Sequence, residues 1–96
     1  MGSQPTTVRV EFFGIPRQRA GVADTVVTLP RSPVTLEDVL RELAVKFPDL
    51  ATACLEGASL KKEFMASLGG RQFVASPETE VTGEESLLIL SADSGG

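Results

Sequence analysis

The two residues that end the sequence, Gly95 and Gly96, are the strongest candidates for chemistry in this chain. Glycine has no side chain and adopts backbone angles that other residues avoid, so a Gly-Gly pair can thread a channel too narrow for any other pair. A chain terminus also moves freely unless something holds it. The pair therefore predicts that the carboxylate of Gly96 is a reacting group, which Gly95 makes accessible. The alternatives are an ordinary frayed end or a remnant of cloning.

The segment before this pair explains how it would be presented. Residues 87–90, Leu-Leu-Ile-Leu, are the most apolar run of the sequence, and a short polar stretch follows them. This order predicts a buried strand that carries a flexible tail at 91–96. Asp93, Ser94 and Gly95 would then lead Gly96 into the channel of a partner protein.

The composition excludes several classes of function. The chain has no histidine, a single cysteine (Cys54), five phenylalanines, no tryptophan or tyrosine, and a net charge of −4. Histidine is the commonest member of acid–base triads and of zinc sites, so its absence disfavours both. A nucleic-acid surface is also disfavoured, because it needs basic residues and stacking aromatics. No apolar run approaches the ~20 residues of a membrane span. We therefore expect a cytoplasmic protein that is not an enzyme, with no bound metal or cofactor and no nucleic-acid or membrane partner.

The first element is a strand. Ninety-six residues suit one domain, and the polar residues 1–6 are interpreted as a flexible leader to a domain at 7–90. Residues 7–13 alternate between two faces with the period of a half-buried strand. The inward residues are Val8, Val10 and Phe12. Phe13 is the apolar exception on the other face.

A hairpin is predicted next. Residues 14–21 are interpreted as a loop because Pro16 breaks regular structure. Residues 24–29 are rich in valine and threonine and predict a second strand, which Pro30 ends. A connection this short predicts that the two strands are antiparallel neighbours.

The helix that follows is the clearest element. Thr35 is a good N-cap, with Asp38 as its capping-box partner. Pro48 ends the helix, because a residue before proline is disfavoured in helical angles. The apolar residues recur at helical spacing and predict one buried stripe. They are Leu36, Val39, Leu40, Leu43 and Phe47.

The second half of the domain gives weaker signals. A short helical turn is predicted from Asp49 to Gly57, with Leu50 and Cys54 facing inward. Residues 60–68 fit a helix or a strand, and alternation at 64–68 favours a strand. Shorter strands are predicted at 71–74 and 86–90. The arrangement that buries these elements is an α+β fold, a β-grasp mixed sheet with one main helix across it and with the first and last strands parallel.

Several motifs together resemble the β-grasp sulfur carriers, most closely the small subunit of molybdopterin synthase. The opening Val8-Arg9-Val10-Glu11-Phe12-Phe13-Gly14 is similar to the first strand of that family, and Arg17 and Gly21 fall where the family carries an Arg and a Gly. The acidic turn at 82–85 and the terminal Gly-Gly complete the likeness, which spans nearly the whole chain after residue 7.

The resemblance implies a carrier that works through its own end. A ubiquitin-activating-like enzyme would use ATP and magnesium, held at that partner, to adenylate the carboxylate of Gly96. A sulfur donor, a sulfurtransferase, would then convert it to a thiocarboxylate. The loaded chain would deliver the sulfur to a larger synthase subunit in molybdenum cofactor biosynthesis, itself being a non-catalytic subunit.

Other functions stay open. Gln18 stands where many relatives have Glu, and residues 91–94 lack the proline common before the Gly-Gly of molybdopterin synthase. The length of the chain disfavours the thiamine-pathway carrier but leaves carriers for amino-acid or other metabolites. A ubiquitin-like modifier, or a binding domain whose tail is incidental, are the further alternatives.

Two surface features are predicted from the residues alone. One helix covers only one face of the sheet, so apolar residues on the other face would form an exposed patch beside the tail. They are Phe13, Val74, Leu88 and Leu90. Moreover, no basic residue follows Arg71, whereas glutamates recur at 78, 80, 84 and 85, and Asp93 and the terminal carboxylate are also anionic. This asymmetry predicts a partner with a basic rim, or else a merely solvated acidic surface.

Overall fold

The computed structural model describes residues 4–70, 72–74 and 76–91, in which strands and helices alternate. The strands are Thr6–Phe12 (β1), Asp24–Leu29 (β2), Val34–Thr35 (β3), Leu55–Glu56 (β4), Ser59–Leu60 (β5), Phe64–Leu68 (β6), Gln72–Val74 (β7), Glu80–Val81 (β8) and Leu87–Ser91 (β9). The helices are Ile15–Ala20 (α1), Leu36–Lys46 (α2) and Pro48–Cys54 (α3). No helix among these residues is long and apolar enough to cross a membrane.

The main sheet has five strands in the order β2-β1-β9-β6-β7. The first and last strands are central and parallel, with Val10 opposite Leu87 and Phe12 opposite Ile89. The other pairs of the sheet are antiparallel, including the predicted hairpin of β1 and β2. A parallel pair requires a long crossover, which α2 provides here. The predicted β-grasp arrangement is confirmed.

The core lies between α2 and one face of this sheet. The inward residues of β1 and β9 and the apolar stripe of α2 belong to one buried cluster. Phe12 and Phe47 meet edge to face, with ring centroids 5.7 Å apart. Burying each large apolar side chain contributes about 1.5–3 kcal/mol. On the opposite face of the sheet, Val26 and Phe73 are exposed.

The predicted capping box starts α2. The Thr35 hydroxyl accepts from the Asp38 N–H at 3.2 Å, and the Asp38 carboxylate accepts from the Thr35 N–H at 3.0 Å. Arg31 forms an ion pair with Asp38 at 2.9 Å. The bond from the Thr35 N–H, helped by Arg31 and opposed by burial, holds the pKa of Asp38 below its ordinary value. The start of the helix is thus fixed by local contacts.

The predicted loop at 14–21 was wrong, because residues 15–20 form α1. Pro16 lies in the first turn of this helix, where proline is tolerated because the missing N–H would have no helical partner. Gly21 ends the helix in a left-handed conformation with φ of 82°, and its N–H donates to the Arg17 carbonyl at 2.9 Å. The residues that suggested a loop are the two ends of a short helix.

The 49–57 region is partly as predicted. Its helix, α3, begins at Pro48, and Leu50 and Cys54 are buried as expected. The strand at 64–68 is confirmed as β6. The pairs β4–β5 and β3–β8 were not predicted, since a two-residue strand shows no alternation. The predicted fourth strand is described from Gln72, with Arg71 outside the described residues.

Candidate functional site

The predicted reacting end lies beyond the described residues, which stop at Ser91. Asp93, Ser94, Gly95 and Gly96 are therefore not placed by the structure. What the structure does place is the strand that leads to them. β9 is hydrogen-bonded on both sides, to β1 and to β6, with Ser91 opposite Phe64. The segment 92–96 therefore starts from a fixed point at the centre of the sheet.

An apolar surface lies on the sheet face away from α2. Leu88 lies opposite Ser67, which in turn lies opposite Phe73, and Leu90 lies opposite Met65. Phe13 follows β1 directly, and its N–H donates to the Ile89 carbonyl at 3.0 Å. We call this surface the open-face patch. Its members are Phe13, Met65, Phe73, Leu88 and Leu90.

The members of this patch differ in exposure. Phe13 is 43% exposed and Phe73 is 64% exposed, while Met65, Leu88 and Leu90 are half-buried. Partly exposed apolar side chains that share one face of a sheet are typical of partner sites. Three of the residues predicted for the patch, Phe13, Leu88 and Leu90, are thus on this face of the sheet.

The prediction that Val74 is the fourth member of this patch was wrong. It is only 7% exposed and belongs to the core, where it lies opposite Ala66. Phe73 takes its place on the open face. Adjacent residues of a strand point to opposite faces, so an error of one residue in register exchanges the two. In the structure Leu68 lies opposite Gln72 across the turn at Gly69-Gly70, and no local pattern in the sequence sets this register.

Glu84 and Glu85 lie at the end of β9 that is remote from Ser91. Glu84 and Glu85 precede β9, and the Gly69 N–H donates to the Ser86 carbonyl at 2.8 Å. Glu80 pairs with Thr35 at the start of α2. Five strand residues span about 15 Å. These glutamates therefore do not surround the start of the tail.

Helix α1 lies beside Ser91. It contacts both β9 and α3, and the chain enters it through Gly14, which has a φ of 66°. A Cβ atom added at Gly14 would lie 3.4 Å from the Ser91 hydroxyl oxygen. Glycine is therefore required here by the positive φ, and not by the space beside β9. The start of the tail is flanked by α1 on one side and by the open-face patch on the other.

The described residues offer no other evident chemistry. Within 4–70, 72–74 and 76–91, no cluster of His, Cys, Asp or Glu could hold a metal ion. Cys54 is fully buried, and burial raises the pKa of its thiol. A buried thiol with a raised pKa is a poor nucleophile, because the thiolate is the reactive form. The packing role predicted for Cys54 agrees with this.

Neither the protein-family models nor the curated proteins include a match to this sequence. Solved structures do match. The crystal structure of SAMP1 from Haloferax volcanii superposes with a TM-score of 0.76 at 19% identity, covering 94% of this chain and 99% of that one. The solution structure of small archaeal modifier protein 1 from Methanosarcina acetivorans gives 0.74 at 22% identity, covering 98% and 100%.

A third match is a candidate molybdopterin converting factor, subunit 1, from Pyrococcus furiosus. Its TM-score is 0.71 at 19% identity, and the alignment covers 90% of this chain and 97% of that one. At such identities the likeness concerns the fold. This chain has the ubiquitin-like β-grasp fold that the small archaeal modifier proteins share with the molybdopterin converting factor subunit.

Proposed function

We propose that this chain is a sulfur carrier whose Gly96 carboxylate is adenylated and then converted to a thiocarboxylate, for molybdopterin biosynthesis. The observation that carries the proposal is the position of β9. This strand is held at the centre of a β-grasp sheet and leads, at Ser91, into a polar segment ending in Gly95-Gly96. The fold shared with the converting factor subunit supports the same assignment.

The chemistry divides between this chain and its partners. A carboxylate is a poor electrophile, so one of its oxygens must first become part of a leaving group. In the proposed reaction the Gly96 carboxylate attacks the α-phosphorus of ATP and pyrophosphate leaves. A hydrosulfide equivalent from the donor then attacks the acyl carbon, and AMP leaves. The sequence carries no phosphate-binding loop, so ATP and magnesium are assigned to a ubiquitin-activating-like adenylating enzyme.

The partners follow from this division of labour. The adenylating enzyme supplies the nucleotide site, a sulfurtransferase supplies the sulfur, and a larger synthase subunit receives it. Each must bind the body of the chain while it holds the tail. The open-face patch suits this purpose because Leu88 and Leu90 belong to the strand that carries the tail. Gly95, Ser94 and Asp93 would lie in the channel of the partner.

The patch can be tested by truncating Phe13. We expect Phe13→Ala to weaken binding to the adenylating enzyme by about 2 kcal/mol, roughly thirtyfold in Kd, because interface aromatics often dominate binding. Val45→Ala is the matched control, since Val45 is an exposed apolar residue on α2. Isothermal titration at one salt concentration would measure both. Equal Kd values for the two variants would exclude Phe13 from the interface.

The carrier chemistry is tested by intact-mass spectrometry. The full chain is incubated with MgATP, a sulfur donor and an adenylating enzyme. This enzyme must be one that is known to activate its own carrier protein for sulfur loading. We expect a mass gain equal to the exchange of one oxygen for sulfur, because the carboxylate becomes a thiocarboxylate. No gain from an enzyme with proven activity would contradict the proposal. Transfer of the sulfur to the pterin substrate of the large molybdopterin synthase subunit, when both are added, and not to a thiamine-pathway acceptor, would identify the client.

A second candidate function is protein modification. The matches from Haloferax volcanii and Methanosarcina acetivorans are small archaeal modifier proteins by name, and the same activated carboxylate could form isopeptide bonds with lysines. Conjugates survive denaturation, whereas a carrier and its partners separate. A ladder of larger species on denaturing gels of a native lysate, lost when Gly96 is removed, would favour the modifier.

A further inference from the structure

A groove lies next to the last residue of β9. It has a volume of about 480 Å³ and is bordered by residues from α1, α3, β6 and β9 and from the segment after β5. We call it the tail-root groove. Besides Glu63, its lining residues are Ile15, Arg19, Ala53, Lys61, Phe64 and Ser91. The lining comes from three separate parts of the sequence, which are brought together by the contact of α1 with α3 and by the pairing of Phe64 with Ser91.

The groove carries more positive than negative charge. Arg19 is exposed and, among the ion pairs of the described residues, takes part in none, whereas Arg9, Arg31 and Arg41 each have an acidic partner. The Lys61 ammonium donates to the Thr52 carbonyl at 3.0 Å, which leaves two of its three protons for a ligand. Glu63 is the acidic residue of the lining.

The two cations act on the same region. Burial raises the pKa of the Cys54 thiol, while the charge of Arg19 and then that of Lys61 act to lower it. Cys54 follows Ala53, which lines the groove, in α3. Glu84 and Glu85 precede β9, at the end of this strand that is remote from Ser91. The groove with its two cations lies at the Ser91 end.

The lining is also apolar. Ile15 is exposed, and Phe64 and Ala53 are half-buried. A small inorganic anion would use only the cations, whereas a peptide with a carboxylate next to an aliphatic or aromatic side chain would use both. Phe64 and Ser91 lie on the core-side face of the sheet, whereas the open-face patch lies on the opposite face. Any protein that holds residues 92–96 must approach Ser91, which lines the groove.

We infer that the tail-root groove binds an acidic segment of the adenylating enzyme, in which an Asp or Glu contacts Arg19 and Lys61 and a neighbouring apolar side chain contacts Ile15 and Phe64. This inference rests on the proposed carrier function. Complementary charges near the reacting end would speed encounter and orient the tail toward the nucleotide site, because charge pairs at an interface act mainly on the association rate and on register.

The test compares two charge reversals on exposed helical arginines. Arg19→Glu replaces one of the two groove cations with an acidic residue. Arg41→Glu makes the same change of net charge on α2. The rate of association with the enzyme that adenylates the wild-type chain is measured by stopped flow at low and high salt. We expect Arg19→Glu to associate about tenfold more slowly at low salt, with the difference shrinking at high salt as charges are screened. Arg41→Glu should stay within about twofold of the wild type.

A second variant separates loss of attraction from added repulsion. Arg19→Ala should slow association by about threefold, between the wild type and the reversal. Thermal unfolding of each variant checks that the fold is retained. The groove inference would be overturned, and the carrier proposal left intact, if both Arg19 variants associated as fast as Arg41→Glu and the chain still acquired sulfur. If the wild-type chain neither bound the enzyme nor acquired sulfur, both would be overturned.

The occupant is checked by sedimentation of the chain alone. The chain has its own acidic segment before β9, so a second copy is the competing occupant. A monomer at all concentrations supports the enzyme segment as the occupant. A dimer that Arg19→Glu dissociates would assign the groove to self-association and overturn the inference.

Discussion

Removing Gly96 is expected to abolish thiocarboxylate formation while leaving thermal unfolding unchanged. The deletion moves the terminal carboxylate back by one residue, about 3.8 Å along an extended chain. Misplacing a reacting group by 1 Å costs roughly a hundredfold in rate, so the loss should be at least about a hundredfold. The core is unaffected, because its members lie between Val8 and Ile89.

This expectation is measured by the intact-mass assay and by thermal denaturation of the same samples. Adding one alanine after Gly96 should have the same effect, since the new carboxylate lies one residue too far. Deleting Gly2 is the matched control, because it removes the same residue type from the other end of the chain. If the shortened or extended chain still acquired sulfur at the wild-type rate, the Gly96 carboxylate would not be the acceptor.

The parts of the fold that the sequence predicts well are those whose signals are local and repeated. The stripe of α2 recurs over eleven residues, and its capping box fixes where it begins. The alternation of β1 identifies its inward face, and that face is buried. Such patterns are visible in the sequence because one face of each element is buried and therefore apolar. The spacing of the apolar residues then follows from the geometry of the helix or strand.

The parts that were missed depend on long-range contacts. Helix α1 is short, and its Pro16 and flanking glycines are also typical of a loop. Strands β3 and β4 have two residues each, too few for any period. Val74 and Phe73 could be assigned only from the register with β6. A one-residue ambiguity in a three-residue strand has no local remedy.

Some features of the candidate site can also be predicted from the sequence, and others depend on the fold. The tail and the apolar face of β9 are visible in the sequence, because each is a continuous run of residues. The tail-root groove is not, since Arg19, Lys61 and Ser91 are separated by more than 25 residues from one another. The predicted acidic set included Asp93 and the terminal carboxylate, which lie outside the described residues. Of the described residues, Glu84 and Glu85 lie at one end of β9 and the groove cations lie at the other.

Replacing Leu43 with alanine is expected to destabilise the chain by about 3 kcal/mol, since buried Leu→Ala changes cost 2–5 kcal/mol through lost transfer energy and the cavity left behind. Leu43 is fully buried in the cluster that joins α2 to the sheet. The unfolding midpoint should fall by about 12–24 °C, because a domain of this size shifts 4–8 °C per kcal/mol. Differential scanning calorimetry would measure the shift.

Val45→Ala, two residues further along α2, is the control for this change. Val45 is 79% exposed, and alanine favours the helix slightly more than valine does. Its midpoint should therefore stay the same or rise slightly. A similar fall for both variants would mean that α2 does not bury its Leu43 face against the sheet. Since α2 covers only the core face, Leu43→Ala should leave the open-face patch and the tail intact wherever the domain remains folded. At temperatures below its lowered midpoint, the variant should therefore still acquire sulfur.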